Sequence, residues 1–153
     1  AGSFYPINLA IEKGFQQIIW TDSNQHKYLE EAGTMNVFFR IDDKLITAPT
    51  TDTILDGVTR KSIIQIATDL GIDVDVRRIT VDEIKEASKN NSLKEIFDTG
   101  TAAVVSEISE FEHKDELFIL PEIDDSYAKK LKESLVNIQT NKSEDPHNWR
   151  YRV

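Results

Sequence analysis

Cysteine is absent from this chain, methionine occurs once, and only 6 glycines and 4 prolines punctuate 153 residues. Without cysteine there is no disulfide framework, no thiol nucleophile and no cysteine-ligated metal, which agrees with a reducing compartment, and a cytoplasmic location is expected. The 3 histidines, His26, His113 and His147, stand far apart without ligand spacing, so no structural zinc site is expected. No apolar run approaches the roughly 20 residues that a bilayer crossing requires, and no basic stretch followed by an apolar one opens the sequence. A membrane is therefore not an expected partner. Positive charge is scarce as well: 18 Lys and Arg against 27 Asp and Glu leave a net charge of −9. Such a surface is repelled by phosphate backbones, and nucleic acid is not expected either. What is present, 39% hydrophobic and 29% charged residues, is an ordinary globular composition, in a length that fits one domain with a core of its own.

The apolar pattern divides the chain into elements. Residues 1–14 read as a helix entered near its start, with Pro6 tolerable only in a first turn and Gly14 suited to the C-terminal end. Gln17–Trp20 and Lys27–Glu31 read as strands joined through Thr21–Asn24, and Asn36–Ile41 with Lys44–Thr47 reads as a hairpin turning at Asp42 and Asp43. Between Leu55 and Gly71 the period becomes helical: Ile63, Ile66, Ala67 and Leu70 share a face, Thr59 can cap the start and Gly71 can end it. Asp73–Ile79 alternates as a strand, and Thr80 with Glu83 forms a capping-box pattern before a helix of about two turns through Ile84 and Ala87. Glu95–Phe97 and Ala102–Ser106 read as strands flanking a turn at Asp98–Thr101, and Leu117–Leu120 as another strand. Ser126–Gln139 is an amphipathic helix with Tyr127, Leu131, Leu135 and Ile138 on one face, followed by a polar tail from Thr140. Strands dominate without regular βαβ alternation, so the expected class is α+β, or irregular α/β, with a mixed, partly barrel-like sheet and flanking helices.

Three segments have residue types suited to chemistry. Glu30–Asn36 brings carboxylates together with small residues between two strands. Leu55–Arg60 places backbone N–H groups and a hydroxyl at a helix start, where the dipole favours an anion. Thr99–Ala103 is a turn of small residues whose backbone an anion can approach closely. Taken singly, each is more simply an exposed acidic turn, an ordinary capped helix start and a tight strand connection.

Taken in order and spacing, Trp20, Tyr28-Leu-Glu-Glu-Ala-Gly-Thr-Met-Asn-Val-Phe-Phe39, Thr47-Ala-Pro49, Ile54-Leu-Asp-Gly-Val-Thr-Arg60, Leu93–Phe97 and Thr99-Gly-Thr-Ala-Ala-Val-Val105 resemble the C-terminal large domain of branched-chain amino acid aminotransferases. The likeness continues into Glu144-Asp145 and Trp149. It implies the fold of D-amino acid aminotransferase-like, fold type IV enzymes, with residues 1–139 as a cofactor-binding domain and 140–153 as its polar tail. It also implies pyridoxal 5'-phosphate, transfer of the amino group of leucine, isoleucine or valine to 2-oxoglutarate, and a homodimer. By the same resemblance Glu31 faces the pyridine nitrogen, while Glu30 points away. Val58, Thr59 and Thr101 hold the phosphate, and Thr34, Ala102 and Ala103 line the substrate side. Arg60 is expected in a structural ion pair, because the family's phosphate arginine comes from the N-terminal domain.

Two departures accompany the likeness. The family's catalytic lysine precedes a stretch that resembles Ala1-Gly-Ser-Phe-Tyr-Pro6, and Lys13, Lys27 and Lys44 match other positions. No catalytic residue is therefore expected within this chain, which reads as a fragment whose missing N-terminal domain is a partner. Where mammalian members place two cysteines, this chain has Ala103 and Ser106, which excludes a thiol switch there. D-amino acid aminotransferases and aminodeoxychorismate lyases share the glutamate and Gly-Thr signals, and a non-catalytic anion-binding module is the alternative of another class.

Overall fold

The computed structural model describes residues 9–15, 17–33, 35–51 and 53–150. The expectations that fall on Pro6 and Thr34 lie outside them. Its first four strands are β1 (Ile19–Thr21), β2 (Leu29–Ala32), β3 (Met35–Ile41) and β4 (Lys44–Thr47). Then come α1 (Val58–Asp69), β5 (Asp73–Val76), α2 (Val81–Lys89), β6 (Leu93–Gly100) and β7 (Val104–Ile108). The hairpin β8 (Glu110–His113) and β9 (Glu116–Ile119) and the helix α3 (Tyr127–Gln139) complete the order.

Strand β3 is the hub. It pairs antiparallel with β6 along one edge, and with β2 and then β4 along the other. Beyond these, β1 pairs with β2, β7 with β6, and β5 runs parallel to β4. The chain after β5 returns to β2: Leu29 N–H donates to Ile79 O and Val81 N–H to Lys27 O, each at 2.9 Å. β2, β3, β4, β5 and residues 79–81 thereby close a ring around buried Ile79. The mixed α+β class and the partly barrel-like sheet expected from the sequence are thus both present.

Alternation along β3 sends its side chains into two cores. Val37 and Phe39 join Ile46, Ile96 and the buried face of α2, Ile84 and Ala87. Phe38 stacks on Phe97 with ring centroids 5.2 Å apart and packs with Ile63 and Ile66 of α1 and Leu131 and Leu135 of α3. Both faces are covered, which explains a strand buried from Asn36 to Arg40. Among the described residues no helix is long and apolar enough to cross a membrane.

Several boundaries differ from the sequence expectation. Helix α1 takes Gly57 as its N-cap and has no side-chain cap, so Thr59 lies inside the first turn. Leu70, expected on the buried face, is the C-cap and is 53% exposed at the end of the helix, and Gly71 at φ +79° terminates it. The turn expected at Asp98–Thr101 is shifted: Asp98, Thr99 and Gly100 stay in β6 because pairing with both β3 and β7 overrides their turn preference. The chain reverses at Thr101–Ala103 instead. Strand β5 stops at Val76 rather than Ile79, and β8 was not expected. The polar tail is irregular to residue 150, yet Trp149 packs on the α1–α3 core and His147 Nε2 lies 2.7 Å from Asp69 Oδ2.

Candidate functional site

Register brings the first and third chemical segments together. Asn36 is the cross-strand partner of Glu31 in β2 and of Thr99 in β6, so the three side chains stand in one row on the face that carries α1 and α3. Glu31 Oε1 accepts the Leu55 N–H at 2.6 Å. Asn36, 5% exposed, donates from Nδ2 to the Leu55 carbonyl at 2.8 Å. The second segment is thus tied to the same row, two residues before the N-cap of α1. Glu30 takes a separate bond, from Thr53 Oγ1 at 3.2 Å.

The start of α1 is rich in donors. Helices α2 and α3 have their first amides bonded by Thr80 and Ser126, whereas α1 presents Val58 and Thr59 in an opening turn that no side chain caps. Val58 is 79% exposed there. Arg60 is buried and donates to Ala48 O at 3.0 Å, with Asp56 Oδ1 4.0 Å from its Nη1. That matches the structural role expected of it, and burial lowers its pKa. The guanidinium pins the first turn of α1 to the end of β4. Thr101, Ala102 and Ala103 form the exposed turn between β6 and β7, immediately after the Thr99–Gly100 end of β6. Thr99 Oγ1 is buried without a hydrogen-bond partner among the described residues. Gly100 is required at its position by close approach: a Cβ would stand 2.9 Å from Met35 Cγ.

Asp98 points to the opposite face, as alternation demands. It is fully buried, accepts from Gln17 Nε2 at 2.9 Å, and burial raises its pKa. It lines, with Phe39, Ile96 and Ser106, a cavity of about 890 Å³. None of Glu31, Val58, Thr59 or Thr101 borders that space. The chemistry-bearing row and this cavity therefore lie on different faces, and residue chemistry favours the row.

Sequence reasoning did not single out Asn36. The Gly-Thr-Met-Asn36 spelling carries no sign of this role: only the pairing register puts Asn36 beside Glu31 and Thr99 at once. A second omission is Glu95, whose carboxylate accepts from Tyr127 N–H at 2.8 Å and Ala128 N–H at 3.1 Å and pairs with Arg40 Nη1 at 3.0 Å. This pair sits further along the same face and serves α3 rather than the candidate site.

With this geometry in hand, comparison with known proteins is specific. A model of the "Amino-transferase class IV" family matches residues 3–111. A probable branched-chain-amino-acid aminotransferase of Staphylococcus epidermidis is 40% identical over 141 residues, covering 92% of this chain and 39% of the relative. The branched-chain-amino-acid aminotransferase 2 of Bacillus subtilis is 38% identical over 154 residues, covering 100% of this chain and 42% of its own. Among solved structures, the branched-chain amino acid aminotransferase of Escherichia coli superposes with a TM-score of 0.76 at 27% identity, over 93% of this chain and 43% of that one. The T.th. branched-chain amino acid aminotransferase complexed with N-(5'-phosphopyridoxyl)-L-glutamate gives 0.76 at 28%, over 97% and 47%. The chain spans about 40% of the length of the curated relatives it matches. A family match over more than half of the residues, on a fold shared with these enzymes, establishes that the chain belongs to the class IV aminotransferases.

Proposed function

We propose that this chain supplies the cofactor-binding part of a branched-chain amino acid aminotransferase that uses pyridoxal 5'-phosphate. The whole protein would move the amino group between leucine, isoleucine or valine and 2-oxoglutarate. The observation that carries the reading is the tie between Glu31 and the start of α1 through Leu55, with Thr99 alongside in the same row.

The residues present fit the cofactor. A carboxylate stands at the Glu31 end of the row, and an uncapped helix start with Thr59 follows Leu55, whose N–H that carboxylate accepts. Opposite charges at a ring nitrogen and at a phosphate are what the carboxylate and the helix start suit. In this reading Glu31 keeps the pyridine nitrogen protonated, the Val58 and Thr59 N–H groups and hydroxyl hold the phosphate with Thr101, and Thr34, Ala102 and Ala103 receive the substrate α-carboxylate. When bound, pyridoxal phosphate supplies the electron sink that stabilises charge at the substrate α-carbon. The contribution of this chain is to orient and charge-match that group, not to deliver the amine. The cofactor-bonding lysine is assigned to the rest of the whole protein, because Lys13, Lys27 and Lys44 stand at other positions of the family pattern. Residues 1–139 are the cofactor-binding domain, 140–153 its tail, and the whole enzyme a cytoplasmic homodimer.

The test is a substrate panel on the whole enzyme. Turnover of L-leucine, L-isoleucine and L-valine with 2-oxoglutarate is the expected result. Preference for D-alanine, or release of pyruvate from aminodeoxychorismate, would overturn it.

A further inference from the structure

We propose that Asn36 is a positioning residue that fixes the start of α1 to the Glu31 carboxylate, so that the two ends of the cofactor site form one unit. The inference rests on the cofactor reading given above. Its basis is Leu55, which is held at both main-chain groups: its N–H donates to Glu31 Oε1 at 2.6 Å, and its carbonyl accepts from Asn36 Nδ2 at 2.8 Å.

Packing does not hold this segment in place. The Leu55 side chain is 63% exposed and that of Val58 79% exposed, so residues 55–58 bury little apolar surface of their own. Position is set instead by the two Leu55 bonds, by buried Ile54, and by Arg60 on Ala48. Asn36 also limits the approach of the helix: a Cβ at Gly57 would stand 2.4 Å from Asn36 Oδ1. Gly57 has an ordinary extended backbone at φ −68° and ψ 137°, so glycine is needed there for closeness and not for conformation. The amide thus does two things, donating to the carbonyl before the helix and seating its oxygen against the N-cap. A carboxylate at position 36 would set an acceptor against an acceptor at Leu55. Because the Asn36 backbone sits between Glu31 and Thr99, the amide ties the helix start to three strands at once.

The experiment uses the whole enzyme and two ligands, pyridoxal 5'-phosphate and unphosphorylated pyridoxal, together with amide hydrogen exchange of the apoenzyme. Asn36→Ala and Asn36→Asp should lower affinity for the phosphorylated ligand by about tenfold, the size expected when a neutral hydrogen bond is lost and the Leu55 carbonyl loses its donor. Affinity for pyridoxal should change little. Exchange at Leu55 and in the first turn of α1 should accelerate, while α3 keeps its protection. Gly57→Ala alone should reproduce the loss, and adding it to Asn36→Ala should cost nothing more, because the obstructing oxygen is gone. Equal weakening of both ligands, or unchanged exchange at residues 55–61, would overturn the proposal. If the unmutated enzyme binds neither ligand, the cofactor reading fails, and the exchange measurement still decides whether Asn36 holds α1.

Discussion

At the scale of single residues, the decisive contrast is between Glu31 and Glu30. Both carboxylates bond to the segment before α1, but Glu31 takes a main-chain N–H in the row with Asn36, while Glu30 takes the hydroxyl of exposed Thr53. Glu31→Gln keeps an acceptor for Leu55 and removes the charge. In the whole enzyme it should therefore lower turnover by about a hundredfold, the scale on which preorganised electrostatic stabilisation acts, while cofactor retention falls far less. Glu30→Gln should leave steady-state rates close to those of the unmutated enzyme. Similar kinetics for the two variants would remove the distinction. Glu31, Thr59 and Thr101 are singled out by the order and spacing of the segments that resemble the family, and their roles at the cofactor remain part of the proposal. Asn36, Gly57 and Thr99 matter through what they stand beside, and adjacency across strands is set by register, which no local spelling encodes.

At the scale of elements, α3 was the most legible: Tyr127, Leu131, Leu135 and Ile138 recur at helical spacing, and all are buried. Its N-terminus was only half legible. Ser126 is a recognisable cap and accepts from Lys129 N–H at 3.2 Å, but most of the capping comes from Glu95 on β6, 31 positions earlier in the chain. That carboxylate also neutralises Arg40, whose guanidinium lies 3.5 Å over the Tyr127 ring. Glu95→Ala leaves the first α3 amides without their acceptor and removes the buried carboxylate paired with Arg40, which keeps, as acceptors among the described residues, only the Asp42 and Asp125 carbonyls and the more distant, exposed carboxylates of Asp43 and Asp125. Unfolding in denaturant should show a loss of about 3–5 kcal/mol, and Glu95→Gln a smaller one, because the amide oxygen still accepts. Equal stability of Glu95→Ala and the unmutated protein would reduce this network to surface decoration. The misplaced end of β6 has the opposite lesson: Asp98-Thr-Gly-Thr101 spells a turn, and two flanking strands outvoted it. β8 is not legible locally because Glu-Phe-Glu-His offers one large apolar residue, Phe111, whose partner Phe118 lies across the hairpin with centroids 4.7 Å apart.

At the scale of the whole molecule, two carboxylates set opposing slopes of stability with pH. Asp22 accepts N–H bonds from Tyr28, Gln25 and Lys27, which hold its pKa down at about 2. Its contribution is complete above the ordinary carboxylate value of about 4 and is lost as pH falls through about 2. Asp98 has its pKa raised by burial, so its charged form penalises the fold above that raised value and the penalty vanishes in acid. Thermal melts should therefore show Asp98→Asn melting higher than the unmutated protein at pH 7 and losing that advantage below about pH 4, while Asp22→Asn melts lower at pH 7 and converges only near pH 2. A pH-independent difference in either variant would show that charge is not the cause. The hub position of β3 has a consequence of another kind, for biosynthesis. β3 is completed by β6, and Phe38 meets Phe97, about sixty residues downstream. A chain emerging from the ribosome must carry β3 with that edge unpaired until β6 arrives, so the nascent protein passes through an interval in which Val37, Phe38 and Phe39 are open to other chains. Folding is then governed by this long-range closure, and chaperone demand should be greatest before residue 100 is made.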